Sequence, residues 1–232
     1  MPVRDRNRRL QQLLAAIVED ARYTANLTGR AEFDSRVMAA MNDVPHDEFV
    51  PADLQESAFE NRPLPIGEGQ TISQPYIVAL MTDLLNPQAR HKVLEIGTGC
   101  GYQTAVLASL VESIYTIEIV ETLQRGAEQR LHKLGFDNVI ARVGDGYSGW
   151  SEHAPYDSII VTAACSEIPP PLIDQLRAGG RLVAPVGRPL GAQQLVVVEK
   201  SVHGEITTRD VLPVAFVPLT GRTQEDNEDS KL

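Results

Sequence analysis

Cysteine is nearly absent from this sequence: Cys100 and Cys165 are the only two, and neither sits in a CxxC pair or a Cys/His cluster. That excludes a disulfide framework and a zinc site of the usual ligand spacing, and it points to a reducing, cytoplasmic setting. Basic charge is scarce as well. Lys and Arg number 21 against 31 Asp and Glu, a formal net charge of −10, which argues against a protein that must offset nucleic-acid phosphates. The one basic cluster, Arg4, Arg6, Arg8 and Arg9 around Asp5, lies at the amino end, where a solvated or disordered segment is expected. No stretch approaches the roughly 18 apolar residues of a membrane span, and the start lacks the apolar run and small-residue site of a secretory leader. Neither export nor membrane insertion is expected. The patterns GxSxG, HExxH and GxxxxGK[ST] are missing, and the five histidines, His46, His91, His132, His153 and His203, are scattered without ligand spacing. Each suits a surface or structural role, and no metal site is expected.

What is present is enough apolar residue, 43% of 232, for one large α/β domain that hides roughly 70–75% of its unfolded surface. Residues 1–43 read as N-terminal packing helices. From Leu10 the positions Leu13, Leu14, Ile17, Val18 and Ala21 recur at helical spacing, and Phe33, Val37, Met38 and Met41 share a face within Ala31–Met41. In residues 44–75, Pro45, Pro51, Pro63, Pro65 and Pro75 with Gly67 and Gly69 forbid a long helix. Phe49, Val50, Phe59, Leu64 and Ile66 are too apolar for a linker, so an ordered loop region lying on the core is expected.

Residues 76–220 alternate between strand and helix patterns. Strands are predicted at Val93–Ile96, Ile114–Ile119, Val139–Val143, Ser158–Thr162, Leu182–Pro185 and Leu195–Glu199, and helices at Pro75–Leu85, Tyr102–Leu110, Glu121–Leu134 and Pro171–Arg177. The alternation implies a doubly wound, mostly parallel sheet. Gly135 and the Gly179-Gly180 pair follow helical patterns, where left-handed caps are expected. The acidic end, 221–232, is expected to be a flexible tail.

The sharpest local signal is Val93-Leu94-Glu95-Ile96-Gly97-Thr98-Gly99-Cys100-Gly101-Tyr102, a strand entering a glycine turn and then a helix. Ligands of doubly wound sheets bind beyond the carboxyl ends of the strands, where glycines let backbone amides approach closely. The dinucleotide pattern GxGxxG would need glycine at Tyr102; the spacing here is GxGxG with an acid two residues before it. Glu118 ends the next predicted strand, where a carboxylate can accept both ribose hydroxyls of a nucleoside, though a ribose alone does not separate one cofactor from another. At the third strand end, Gly144-Asp145-Gly146 reads either as an adenine contact or as a tight turn. Cys100 reads either as a thiol activated at a helix start or as a small residue filling the turn.

The GxGxG turn with its acid resembles that of class I S-adenosylmethionine methyltransferases, a Rossmann-like fold. The run Pro63-Leu64-Pro65-Ile66-Gly67-Glu68-Gly69-Gln70-Thr71-Ile72-Ser73-Gln74-Pro75 is more specific. With Val44-Pro45, Phe49-Val50-Pro51, Ile159–Ala164 and Gly179–Gly187 it resembles the protein-L-isoaspartate O-methyltransferase family from about Val44 to Leu219. The resemblance implies methyl transfer from S-adenosylmethionine to the free carboxylate of isoaspartyl residues in damaged proteins and peptides. It makes Ser73 the active-site hydroxyl. Thr71, Ile72, Glu95, Gly97, Thr98, Gly99, Glu118, Asp145 and Gly146 become cofactor residues, and Ile66, Gly67, Thr162 and Thr220 substrate residues. Cys100 stands where serine is commoner in that family. A methyltransferase of small carboxylic acids or nucleic acid, and a nucleotide-binding module without catalysis, are the alternative readings.

Overall fold

The structure, a computed structural model, describes residues 3–188 and 191–221. The expected tail therefore lies, from residue 222 onward, outside the described residues. Two helices come first, α1 (Val3–Thr28) and α2 (Ser35–Asp43). Helix α2 starts later than its apolar pattern because the Asp34 side chain caps it, accepting from the Arg36 amide at 2.8 Å. The basic amino end is part of α1, not a loose segment. Arg6 makes a two-pronged pair with Asp47, at 2.8 and 2.6 Å, and Arg9 donates to the Glu56 carbonyl at 3.0 Å. Two arginines thus pin α1 to the loop region that follows.

That region is ordered, as its apolar content requires: Phe49, Val50, Ala58 and Phe59 are buried in two 3₁₀ turns and the chain after them. It also holds an element missing from the sequence-based reading, a hairpin of β1 (Leu64–Gly67) and β2 (Gln70–Ile72). After α3 (Pro75–Leu85) the chain alternates through β3 (Lys92–Ile96), α4 (Tyr102–Ala108), β4 (Ser113–Glu118), α5 (Glu121–Lys133), β5 (Val139–Val143), β6 (Tyr156–Val161) and α6 (Pro170–Gln175). It ends in β7 (Leu176–Gly187), β8 (Gln193–Lys200) and β9 (Ile206–Val214). The seven strands lie in the order β5-β4-β3-β6-β7-β8-β9. The first five are parallel, and β8 and β9 extend the sheet antiparallel. This is the doubly wound, mostly parallel sheet the alternation implied.

Side-chain alternation splits the core between the two faces. Val93 of β3 joins the residues under α1 to α4, whereas Leu94 and Ile96 join those under α6. Gly135 stops α5 as expected: its own amide bonds back to His132 and that of Phe136 to Leu131, with Gly135 at φ +82°. The Gly179-Gly180 pair is a correction. Helix α6 has already ended at Gln175, and the two glycines lie inside β7, where a Cβ on Gly180 would press on the Arg177 and Asp157 carbonyls. Strand β9 had no alternating signal because it is the sheet edge, with only Val211 and Leu212 buried. No helix among the described residues is long and apolar enough to cross a membrane.

Tyr102 joins the sheet layer to the amino-terminal layer. Fully buried at the start of α4, it meets the His46 ring edge-on at 4.5 Å and the Phe49 ring at 5.5 Å, and its hydroxyl reaches the Met41 sulfur at 3.7 Å. Tyr102→Ala is expected to cost about 3–5 kcal/mol. Tyr102→Phe, which loses only the weak bond to sulfur, is expected to cost under about 1.5 kcal/mol. Urea unfolding of the two variants checks this, and similar losses would mean that the hydroxyl, not the ring, holds the layers together.

Candidate active site

The glycine turn after β3 is held from three sides. The Gly99 amide donates to Glu118 Oε2 at 2.9 Å, Thr162 Oγ1 donates to the Gly97 carbonyl at 2.6 Å, and Arg130 Nη1 donates to the Cys100 carbonyl at 2.8 Å. Gly97 lies at φ +95°, and a Cβ there would collide with Thr162 Oγ1. No other residue fits that position without moving the turn. A cavity opens above it at the carboxyl ends of the parallel strands. Ile72, Gly97, Thr98, Gly99, Glu118 and Gly146 line it, together with Ile119 and Val120.

Glu118 fits a nucleoside diol. Each of its oxygens accepts one backbone bond, from Gly99 and from Val120, both at 2.9 Å, and no cation pairs with it among the described residues. A carboxylate has about four acceptor positions, so two are left, side by side, on a residue that lines the cavity. The glycine cradle and this diol acceptor together suit S-adenosylmethionine.

Other expected site residues are placed differently. Glu95 does not reach the cavity. It is fully buried beneath the turn, on the opposite face of β3 from Ile96, where Oε2 accepts from Thr104 at 2.5 Å and Thr116 at 2.7 Å. Thr116 stands beside it in strand register and is also bonded to Thr98, at 2.7 Å. Glu95 thus acts on the turn through two threonines. Asp145 caps a 3₁₀ turn by accepting from the Tyr147 amide, while its neighbour Gly146 is the one on the cavity wall. Ile66 lines a separate pocket beside Gly99 and Cys100, and Gly67 lies exposed in the hairpin; neither lines the cavity. Thr220 lines the first cavity. Cys100 is buried and its thiol is pushed up to about 11, which favours the small filling residue over the reactive thiol.

A second, larger cavity lies between α1, the residues around Pro63 and Ser73, and the chain after β9. Thr71, Ser73, Thr162 and Val217 line both cavities and form the neck between them. The Ser73 hydroxyl makes no hydrogen bond among the described residues. Residues 216–221 cross the strand ends as a strap: Phe216 exchanges two bonds with Gln193, at 2.7 and 3.1 Å, and Ala164 exchanges two with Val217 and Leu219, at 2.8 and 2.7 Å. Arg130, Gln193 and the strap escaped the sequence reading. No local pattern marks Arg130 or Gln193, whereas Thr116 was open to inference from the register of β3 against β4. Among the described residues no cluster of three or more His, Cys, Asp or Glu side chains could hold a metal ion.

Burial pushes the Glu95 carboxyl from 4.5 up to about 8, against the lowering effect of the two threonine hydroxyls, and Glu118 adds to the rise. Because the folded value exceeds the unfolded one, Glu95 contributes stability fully below about pH 4.5 and loses it as pH rises toward 8. Glu95→Gln removes that titration. Its stability relative to the parent is expected to grow steadily from about pH 5 to about pH 8 in urea unfolding; a constant difference over that range would show that Glu95 is ionised in the fold.

The family model for protein-L-isoaspartate(D-aspartate) O-methyltransferase matches residues 25–224. A protein-L-isoaspartate O-methyltransferase 2 of Polaromonas is 61% identical over 90% of this chain and 100% of its own, and one of Syntrophobacter fumaroxidans 59% identical over 90% and 85%. Among solved structures, a protein-L-isoaspartate O-methyltransferase superposes with TM-score 0.80 at 26% identity, over 95% of this chain and 69% of that one. A Plasmodium falciparum protein solved in complex with S-adenosyl-L-homocysteine shares the fold, with TM-score 0.71 at 22% identity over 88% and 97%. The expectation drawn from the Pro63–Pro75 run is met across most of the sequence: the chain belongs to the protein-L-isoaspartate(D-aspartate) O-methyltransferase family.

Proposed function

We infer that this chain, acting as one domain, transfers the methyl group of S-adenosylmethionine to the free α-carboxylate of L-isoaspartyl residues, with Ser73 orienting the acceptor at the neck between the two cavities. The single observation that carries the assignment of Ser73 is that neck. The inner cavity offers a diol acceptor and a glycine cradle, the outer one is open to a polypeptide, and Ser73 stands where the two meet with its hydroxyl unengaged. A nucleotide-binding module would have no use for the outer cavity.

The cofactor, when bound, supplies an electrophilic methyl carbon on a sulfonium. The acceptor needs no base, since a carboxyl group near pKa 4 is already ionised at neutral pH. The protein's work is therefore alignment and exclusion of water. Glu118 would take the ribose hydroxyls, the Gly97–Gly99 turn and Gly146 would bring backbone against the ligand, and Ser73 would donate to one acceptor oxygen. Thr162 is engaged with the Gly97 and Ile96 carbonyls at 2.6 and 3.0 Å, so it shapes the neck and holds the turn. The strap residues Val217 to Thr220 roof the inner cavity. The methyl ester made in this way is a better electrophile than the carboxylate: the neighbouring amide nitrogen attacks its carbonyl, the C–O bond to the methoxy group breaks, methanol leaves with the amide proton, and a succinimide closes, the route to repair. The two unpaired, buried cysteines support a reducing cytoplasm as the setting.

Glu118→Ala is expected to weaken S-adenosylhomocysteine binding by about 1.5–3 kcal/mol, through loss of charge-assisted bonds to the ribose. Calorimetric titration measures it, and an unchanged affinity would remove Glu118 from the site. Ser73→Ala is expected to bind that ligand as the parent does yet to lose most methyl transfer. The assay uses two peptides identical but for L-isoaspartate against L-aspartate, whose carboxylates differ in position by one methylene. Misplacement of about an ångström can cost on the order of 100-fold in rate, so labelled methyl is expected almost wholly in the isoaspartyl peptide. Equal labelling of the two by the parent enzyme would overturn the substrate assignment, and parent-like turnover by Ser73→Ala would overturn the role of Ser73.

A further inference from the structure

Helix α1 carries two features that packing leaves unexplained. Tyr23, at 87% exposure, is the most exposed large apolar side chain among the described residues, and Leu27, one turn later, is 59% exposed. Single exposed apolar residues are ordinary, but these two are not isolated. Asp20, Tyr23, Thr24 and Leu27 follow the i, i+3, i+4, i+7 spacing of one helix face. Asp20 and Thr24 line the outer cavity, and helical spacing sets Tyr23 and Leu27 beside them, outside its lining. The cavity wall opposite is largely apolar, with Ile77, Leu212, Val214, Phe216 and Val217. The helix is fixed there from both ends of that face. Thr24 Oγ1 lies 2.5 Å from the Tyr76 hydroxyl, and Asp20 Oδ2 accepts from Asn61 at 2.9 Å and Gln74 at 3.3 Å, next to Ser73. Asp20 has no cationic partner among the described residues, and Glu19 precedes it.

We propose that this face of α1 is a docking surface for apolar residues flanking the isoaspartyl residue in the substrate chain, and that it selects against acidic flanks. The inference rests on the reading above that the outer cavity receives the isoaspartyl polypeptide. Asp20 and Thr24 of this face share the outer cavity with Ser73, so a chain presenting its isoaspartate at the neck and leaving on the side of α1 would cross it. Tyr23 and Leu27 would cover its apolar side chains, while Asp20 and Glu19 would repel a carboxylate next to the reacting one. Apolar flanks are buried in intact folded proteins and exposed in unfolded chains. The surface therefore directs the enzyme toward damage in unfolded or frayed segments.

The test compares three isoaspartyl hexapeptides of one length, with Leu and Phe, Ser, or Glu at the flanking positions, for the parent and for Tyr23→Gln/Leu27→Gln. Both positions are exposed and glutamine is a good helix former, so the variant should fold. For the parent, KM is expected to rise roughly tenfold from apolar to serine flanks and again for glutamate, with kcat little changed. The double variant is expected to bring the apolar and serine peptides within about threefold of each other by raising KM for the apolar one, and to bind S-adenosylhomocysteine as the parent does. Equal KM for apolar and serine flanks in the parent, or full discrimination kept by the variant, overturns the proposal alone. Sedimentation showing a parent dimer that the variant loses would overturn it too, by assigning the face to a second copy. Failure to methylate any isoaspartyl peptide, with S-adenosylhomocysteine bound normally, would overturn the substrate reading and this proposal together.

Discussion

The bond from the Gly99 amide to Glu118 Oε2, at 2.9 Å, ties the end of β3 to the end of β4. It also decides what the remaining acceptor positions of Glu118 can do. A carboxylate held by one backbone bond at each oxygen is fixed in orientation without being used up. Around that bond the turn is locked from below by the chain of hydroxyls from Thr98 through Thr116 to Glu95, and from the side by Arg130 on the Cys100 carbonyl. The floor of the inner cavity is thus set before any ligand enters, which is what a reaction governed by alignment requires.

The amino-terminal layer serves the same end from the outside. Arg6 and Arg9 hold α1 against the loop region, and Asp20 and Thr24 hold it against Asn61, Gln74 and Tyr76. Those contacts place one helix wall of the outer cavity at a fixed distance from Ser73. The opposite wall is the chain leaving the edge strand β9, carried back over the sheet by Gln193 and Ala164. Three segments far apart in sequence, carrying Thr71 and Ser73, Thr162, and Val217, meet at the neck between the cavities.

This division explains what could be read from the sequence. The parallel strands and their helices were legible because β-rich runs alternate with helical stretches along the sequence, and Val139–Val143 and Pro75–Leu85 fall where the pattern put them. The glycine turn and Glu118 were legible because strand ends are where such sheets bind ligands. What escaped had no local signature. Strand β9 is an exposed edge, Gly179-Gly180 bends a strand where a helix stop was the simpler reading, and the strap is held by Gln193 from elsewhere in the chain. Glu95 was legible as part of the motif, but its side was not. A period of two puts it opposite Ile96, and only the packing of α4 shows that this is the face away from the cavity.

Charge supplies the last constraint. The chain carries a formal −10, so its overall field opposes an anionic acceptor instead of steering it inward. Within the site the opposition is limited: among the described residues Glu118 is the one acidic side chain on the inner wall, and burial raises the carboxyl of Glu95, beneath the turn, toward its neutral form. Among the described residues no lysine or arginine lines either cavity. The apolar outer wall offers contacts to the residues around the carboxylate. A basic pocket would take any carboxylate, aspartyl side chains included. A single hydroxyl such as that of Ser73 at the neck, accepted by one oxygen, would instead make position, not charge, the quantity the site discriminates.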